Sequence, residues 1–181
     1  MSSTPLQTSN ALALVSNVIN RGFLEAALER VKTDLTPTQF AGLRFVALHP
    51  GGCIRELAQS LLVSHPAAVK LAERLVDRGL VKRETAAEDH RRVCLDLTST
   101  GKRVYKEVFA AQQSLIEQVL DRMGTDAASE LRRLSLEFVR SSIDTEHQIA
   151  KTCLYCGVQH RDECPLSDAE EALTGKPRSA Y

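Results

Sequence analysis

Three cysteines and a histidine near the C-terminal end of the sequence are spaced for metal or redox chemistry. Cys153, Cys156, His160 and Cys164 read C-x2-C-x3-H-x3-C. Two thiolates two residues apart can grip one ion from a tight turn, which Gly157 favours, and a histidine and a cysteine further on can complete a zinc tetrahedron. An iron–sulfur cluster also fits the thiolate-rich set, with Pro165 following Cys164 and His160 as ligand or bystander. A reversible Cys153–Cys156 disulfide would make the same residues a thiol switch. Inert thiols are the blandest reading. His147 lies a helical turn or more upstream, as a substitute ligand or, more simply, a surface histidine. Cys53 and Cys94 fall in strand contexts and read as buried structural thiols.

A second constellation is suited to nucleic acid. Ser64, His65, Pro66, Ala67 and Ala68 open a helical pattern with small or polar side chains, and Lys70 and Arg74 follow one and two turns later. Such a start lets a helix sit deep in the major groove, while Val69, part of Leu71, Ala72 and Leu75 pack behind it. The free N–H groups at its beginning suit a phosphate. Further on, Asp89-His90-Arg91-Arg92 sits between two strand patterns. Arginine in a narrow minor groove is held by the strong negative potential there. DNA would repel Asp89, whose expected work is to pair with an arginine and fix its direction.

These residues must be positioned by a mostly helical chain. Leu12, Val15, Ile19, Phe23 and Ala26 recur at helical spacing from Asn10, a candidate cap, to about Thr33, leaving residues 1 to 9 polar and frayed. Thr36-Pro37 starts a second helix, apolar on most faces. Cys53-Ile54 forms a short strand edge before a third helix, about 55 to 61. Ser64 caps the fourth, and Gly79 stops it in a left-handed turn. Leu80 to Glu84 and Val93 to Leu97 then alternate as two strands. Thr98 caps a long helix with a stripe at Val104, Val108, Ala111, Leu115 and Val119. A last helix follows from Thr125 or Asp126 to about Ala150, with Leu131, Leu134 and Phe138 expected inward.

Bulk composition bounds the function. The 181 residues, 43% hydrophobic and 25% charged, suit one soluble domain with extensions. A net charge of zero argues against coating nucleic acid everywhere, though not against a local basic face. No unbroken run of 18 apolar residues occurs, so no membrane helix is expected. The first residues lack a secretory pattern, and a cytoplasmic location is expected. An odd count of five cysteines in a reducing compartment argues against structural disulfides.

The order of these parts is that of a winged helix-turn-helix, and the matching segments are specific. They are Leu35-Thr36-Pro37-Thr38-Gln39-Phe40, Leu57-Ala58 with Val63-Ser64, Leu75-Val76-Asp77-Arg78-Gly79-Leu80-Val81-Lys82-Arg83, the Asp89-His90-Arg91-Arg92 tip, and Leu95-Asp96-Leu97-Thr98-Ser99-Thr100-Gly101. Over about residues 10 to 150 the chain resembles the MarR family of bacterial transcriptional regulators. The resemblance implies a mostly α fold with a small β-hairpin, and a homodimer through N- and C-terminal helices. Residues 1–34 and 98–150 would form the dimerisation region, 35–97 the DNA-binding domain and 151–181 a Cys-rich extension. It further implies a palindromic duplex operator, Arg91 in the minor groove, and Ser64, His65 and Lys70 facing the major groove. A small effector between the dimer helices and the DNA-binding domain is implied as well. Ala67 and Ala68 depart from the hydroxyl or larger side chains usual there, which shifts base readout toward thymine methyls.

The C-terminal cysteines lie beyond that resemblance. Placed after a dimer-forming helix, they suggest a metal or redox signal that sets the angle between subunits. Two other functions compete. A zinc knuckle stacking Tyr155 on a base would bind single strands. A Cys–His nucleophile would make an enzyme, but no Gly-rich oxyanion turn or triad-like order accompanies it.

Overall fold

The computed structural model describes residues 4–85 and 93–156, together with Cys164, Leu166, Ser167, Glu171 and Gly175. The chain opens with one long helical rod. Helix α1 (Pro5–Asn17) runs into a π-helical turn (Val18–Gly22) and on into α2 (Phe23–Arg30). Then follow α3 (Pro37–Leu48), β1 (Gly52–Cys53), α4 (Ile54–Ser60), α5 (His65–Asp77), β2 (Val81–Thr85) and β3 (Val93–Leu97). Helices α6 (Ser99–Met123), α7 (Thr125–Ser141) and α8 (Glu146–Cys156) complete it. The mostly helical class holds, with a three-stranded antiparallel sheet of order β1-β3-β2 rather than a bare hairpin.

One capping device starts three of these helices. Thr36 Oγ1 accepts from Gln39 N–H at 3.2 Å, and Thr36 N–H donates to Gln39 Oε1 at 3.0 Å. Thr4 and Gln7 do the same at 3.4 and 2.8 Å, and Thr145 and Gln148 at 3.3 and 2.9 Å. Each reciprocal pair satisfies two otherwise orphaned N–H groups. Two expectations are corrected by this. The first helix begins at Pro5, not Asn10, so residues 5 to 9 are helical. The last helix does not run on unbroken to Ala150, because α7 stops at Ser141 and the Thr145 cap begins another.

The main core gathers Phe40, Leu43, Val46, Leu57, Leu75, Val81, Leu95 and Val108, all essentially without solvent contact. Leu95 and Leu97 face it, while Cys94 and Asp96 turn to the outer side of the sheet. The start of α6 is locked to the turn after α5. Thr98 Oγ1 donates to the Gly79 carbonyl at 2.6 Å and accepts from Gly101 N–H at 3.0 Å, and Thr98 N–H donates to the Leu80 carbonyl. Gly101 lies so close that a Cβ there would stand 2.0 Å from the Leu80 oxygen. On the other flank of α6, the buried Gln112 donates from Nε2 to the Ile19 carbonyl within the π-helical turn, at 2.9 Å.

The apolar faces of α1 and α7 do not reach this core. Leu131, Leu134 and Phe138, expected inward, are exposed in the isolated chain, Phe138 at 59%, and Leu12 and Val15 are exposed as well. Helix period correctly places them on stripes, but period does not say which surface a stripe meets. Contrary to the expectation of no membrane-length helix, the run Pro5–Arg30 is long and apolar enough, by length and composition, to cross one. Ser9, Asn10, Ser16, Asn17 and Asn20 interrupt it.

The C-terminal cysteines are placed differently from expectation. Cys153 and Cys156 occupy the last turns of α8, not a tight turn, because the Thr145 cap carries the helix through both. That removes the turn on which the zinc-knuckle reading rests. Cys153 is 8% exposed and sits with Ile143, Ile149 and Leu166 in a small second core, against which Cys164 and Val139 pack. Helix α8 docks on α4, where Ser60 Oγ donates to the Leu154 carbonyl at 2.9 Å, and Leu154 packs against the main core. The last turns of α8 therefore rest against α4. His160 lies outside the described residues, and among those described no group of three or more His, Cys, Asp or Glu side chains is placed to hold a metal.

Candidate nucleic-acid interface

Helix α5 has the two faces that groove binding requires. Ser64 caps it, accepting from Ala67 N–H at 3.4 Å, and Pro66 stands in the first turn. Ala68, Leu71, Ala72 and Leu75 are buried, all but Leu71 completely. Gly42 of α3 lets the helices cross closely, since a Cβ there would come within 3.0 Å of Leu71 and 3.2 Å of Leu75. Ser64, His65, Pro66, Ala67, Lys70 and Arg74 are all exposed. Ala68 is corrected. It belongs wholly to the core, because four residues separate it from Ala72 on the rear face. Ala67 stays exposed beside Pro66 at the start of the helix.

Charge around α5 is partly committed. Arg78, its C-terminal cap, makes a bidentate pair with Asp34 at 2.7 and 3.0 Å, tying the end of α5 to the loop before α3. Arg83 lies 3.7 Å from Glu73, and Lys82 is paired with Glu84 on β2. Among the described residues Lys70 and Arg74 have no such acidic partner, which leaves both cations available to phosphate or base edges. The hairpin tip, with Asp89, Arg91 and Arg92, lies outside the described residues. The strands that flank it are in register from Val81 opposite Leu97 to Thr85 opposite Val93.

The Arg78 guanidinium holds the Asp34 carboxyl below its ordinary 3.8. A depressed folded-state value means that the stabilisation is complete above 3.8 and is lost only as pH falls through the lower folded value. A side-chain carboxyl titration followed by NMR is expected to place the Asp34 midpoint below 3.8 in wild type. In Arg78→Ala it returns toward that value.

A cavity of about 300 Å³ opens between the first helical rod, α3 and the α4–α5 turn. Asn20, Leu24, Arg44, Leu61, Val63 and Gln112 contribute to its walls. The sequence marked this region only through the family resemblance. The π-helical turn and the buried Gln112 beside it carried no recognisable signal.

Helix-turn-helix, three-stranded sheet and flanking long helices together define a winged-helix regulator, and the comparisons agree. The MarR family profile matches residues 33–92. The transcriptional regulator HosA of Escherichia coli O127:H6 is 30% identical over 112 residues, which cover 62% of this chain and 80% of that protein. The transcriptional repressor MdtR of Bacillus subtilis is 23% identical over 120 residues, covering 66% and 77%. A crystal structure of wild-type MarR from E. coli, in its apo form, superposes with a TM-score of 0.64 at 24% identity, over 76% of this chain and 98% of that one. The chain belongs to the MarR family of transcriptional regulators.

Proposed function

We propose that this protein is a homodimeric, non-enzymatic repressor that binds a palindromic duplex operator in the cytoplasm. The observation that carries the reading is α5 itself, with an apolar rear, a small capped start, and Lys70 and Arg74 exposed and without acidic partners among the described residues. Ser64, His65, Pro66, Lys70 and Arg74 would meet the major groove. Arg91, with Arg92, would reach the minor groove, directed by Asp89. The exposed stripes of α1 and α7 supply the dimer surface, and half-sites would lie about 34–36 Å apart. A small effector would enter the cavity beside Gln112 and shift the angle between the helical rod and the DNA-binding unit. The repressor direction follows the likeness to MdtR.

The C-terminal cysteines would add a signal input. Zinc or an iron–sulfur cluster would use Cys153, Cys156, His160 and Cys164; a thiol switch would use Cys153 and Cys156. Elemental analysis and the visible spectrum of untagged protein separate these, iron and visible bands marking a cluster and colourless zinc-loaded protein the tetrahedral site.

The DNA-binding reading is tested on duplexes selected from a random library. Lys70→Ala is expected to lose about 5- to 100-fold in affinity for the selected site, and far less for unrelated duplex, if it reads a base. An equal loss on both marks a phosphate contact instead. Arg91→Ala is expected to weaken operator binding at least tenfold with helicity and dimer unchanged. Unchanged affinity in both variants overturns the proposal, as does preference for single strands over duplex.

A further inference from the structure

The small sheet pairs two thiols that neither groove contact nor effector binding uses. Cys53 of β1 and Cys94 of β3 are direct cross-strand partners. Directly opposite residues of an antiparallel pair send their side chains to the same face. Their Cα atoms lie about 4.5 or 5.5 Å apart, depending on the pair type, and both spacings fall in the range of about 4.4–6.8 Å that a disulfide spans. Both cysteines are free thiols and both are partly exposed, against the sequence expectation of buried ones. Cys94 alternates with core-facing Leu95 and so turns to the outer side of the sheet, where solutes reach it. Cys53 is the N-cap of α4, its N–H donating to Glu56 Oε2 at 2.7 Å. Serine, threonine, aspartate or asparagine serve that position better.

We propose that Cys53 and Cys94 form a reversible disulfide on exposure to a hydroperoxide, and that the bond lowers operator affinity; the second half rests on the DNA-binding reading. One thiol attacks the terminal peroxide oxygen, giving a sulfenic acid and releasing the alcohol, or water from hydrogen peroxide. The other thiol attacks that sulfur, closing the S–S bond and releasing water. Two thiols thereby lose two electrons and two protons to one peroxide. A thiol reductant returns both.

The bond acts where the DNA-binding parts are joined. It encloses α4, α5, β2 and the hairpin tip in one covalent loop between residues 53 and 94. A disulfide holds its Cβ atoms about 3.8 Å apart, closer than the roughly 4.5–5.5 Å of an unlinked cross-strand pair. The tip end of β3 is therefore drawn toward β1 and the start of α4, and the hairpin shifts relative to α5. A grip that needs helix and hairpin in adjacent grooves tolerates such a shift poorly.

The test uses full-length protein, reduced or treated with cumene hydroperoxide. Expected are a mass loss of about 2 Da, a peptide linking Cys53 to Cys94, and a rise in Tm of roughly 5–10 °C. Operator affinity is expected to fall at least fivefold and to recover with dithiothreitol. Cys53→Ser and Cys94→Val each abolish the link and the affinity loss, whereas Cys153→Ser/Cys156→Ser/Cys164→Ser protein keeps both. Absence of the 53–94 peptide from oxidised wild type overturns the proposal, as does a link that leaves affinity unchanged. Reduced protein that binds no duplex defeats the DNA-binding reading instead, while the linked peptide still decides the bond.

Discussion

Replacing Gly101 by alanine is expected to unfold much of the protein at temperatures where wild type is stable. A methyl at residue 101 would stand 2.0 Å from the Leu80 carbonyl oxygen and 2.9 Å from its carbon. Both are backbone atoms, so no side-chain rotation relieves the overlap. The Leu80 carbonyl also accepts from Thr98 N–H, and the Thr98 hydroxyl bonds the Gly79 carbonyl. Moving α6 away therefore breaks the lock between the end of α5, the sheet and the long helix together. Overpacking and lost hydrogen bonds combine to about 3–5 kcal/mol, a fall in Tm of roughly 10 °C. Thermal unfolding by circular dichroism measures it. Gly22→Ala is the control, since nothing lies within 4 Å of a Cβ there and the backbone is helical. It is expected to leave Tm unchanged or slightly raised.

Phe138→Asp is expected to separate the subunits and abolish tight operator binding while each chain stays folded. Phe138 is 59% exposed and Leu134 48% exposed, so a charge at residue 138 disturbs little inside one subunit. Phe138 borders a hollow with Pro5, Thr8, Ser9 and Leu12, and together these side chains form an apolar surface that a second copy would cover. Burying a carboxylate there without a partner opposes association strongly. A lone winged helix would hold one half-site and forfeit the effective concentration of the second, about 100-fold or more in affinity. Sedimentation velocity should show a monomer, and the far-ultraviolet spectrum should match wild type. A variant that remains dimeric places the subunit contact elsewhere.

The DNA-binding unit was the legible part of the sequence because its signals are local. Thr36-Pro37, Ser64-His65-Pro66, Gly79 and Thr98 each announce a helix boundary within four residues, and all four stand where the pattern puts them. The same Thr-x-x-Gln device at Thr4 and Thr145 is masked, at Thr4 by a polar opening segment and at Thr145 by a continuous helical period. What remained illegible depends on distant partners. The Cys53–Cys94 pairing is set by the order β1-β3-β2, which brings together strands separated by two helices. The docking of α8 on α4 spans 94 residues between Ser60 and Leu154. The outward direction of Leu134 and Phe138 depends on which surfaces face each helix, which periodicity along one helix does not specify.

The π-helical turn at Val18–Gly22 separates two halves of one rod with different surroundings. An extra residue in a helical turn advances every later side chain by about 100° around the axis. Upstream of it no residue of α1 is buried, whereas downstream Leu24, Ala27 and Leu28 of α2 are sunk in the main core. Gln112 seals the irregularity by occupying the Ile19 oxygen. An unbroken α-helix would aim both halves along one continuous stripe; the inserted residue gives the forward half its own heading, so a single uninterrupted strut ends in an outward-facing handle.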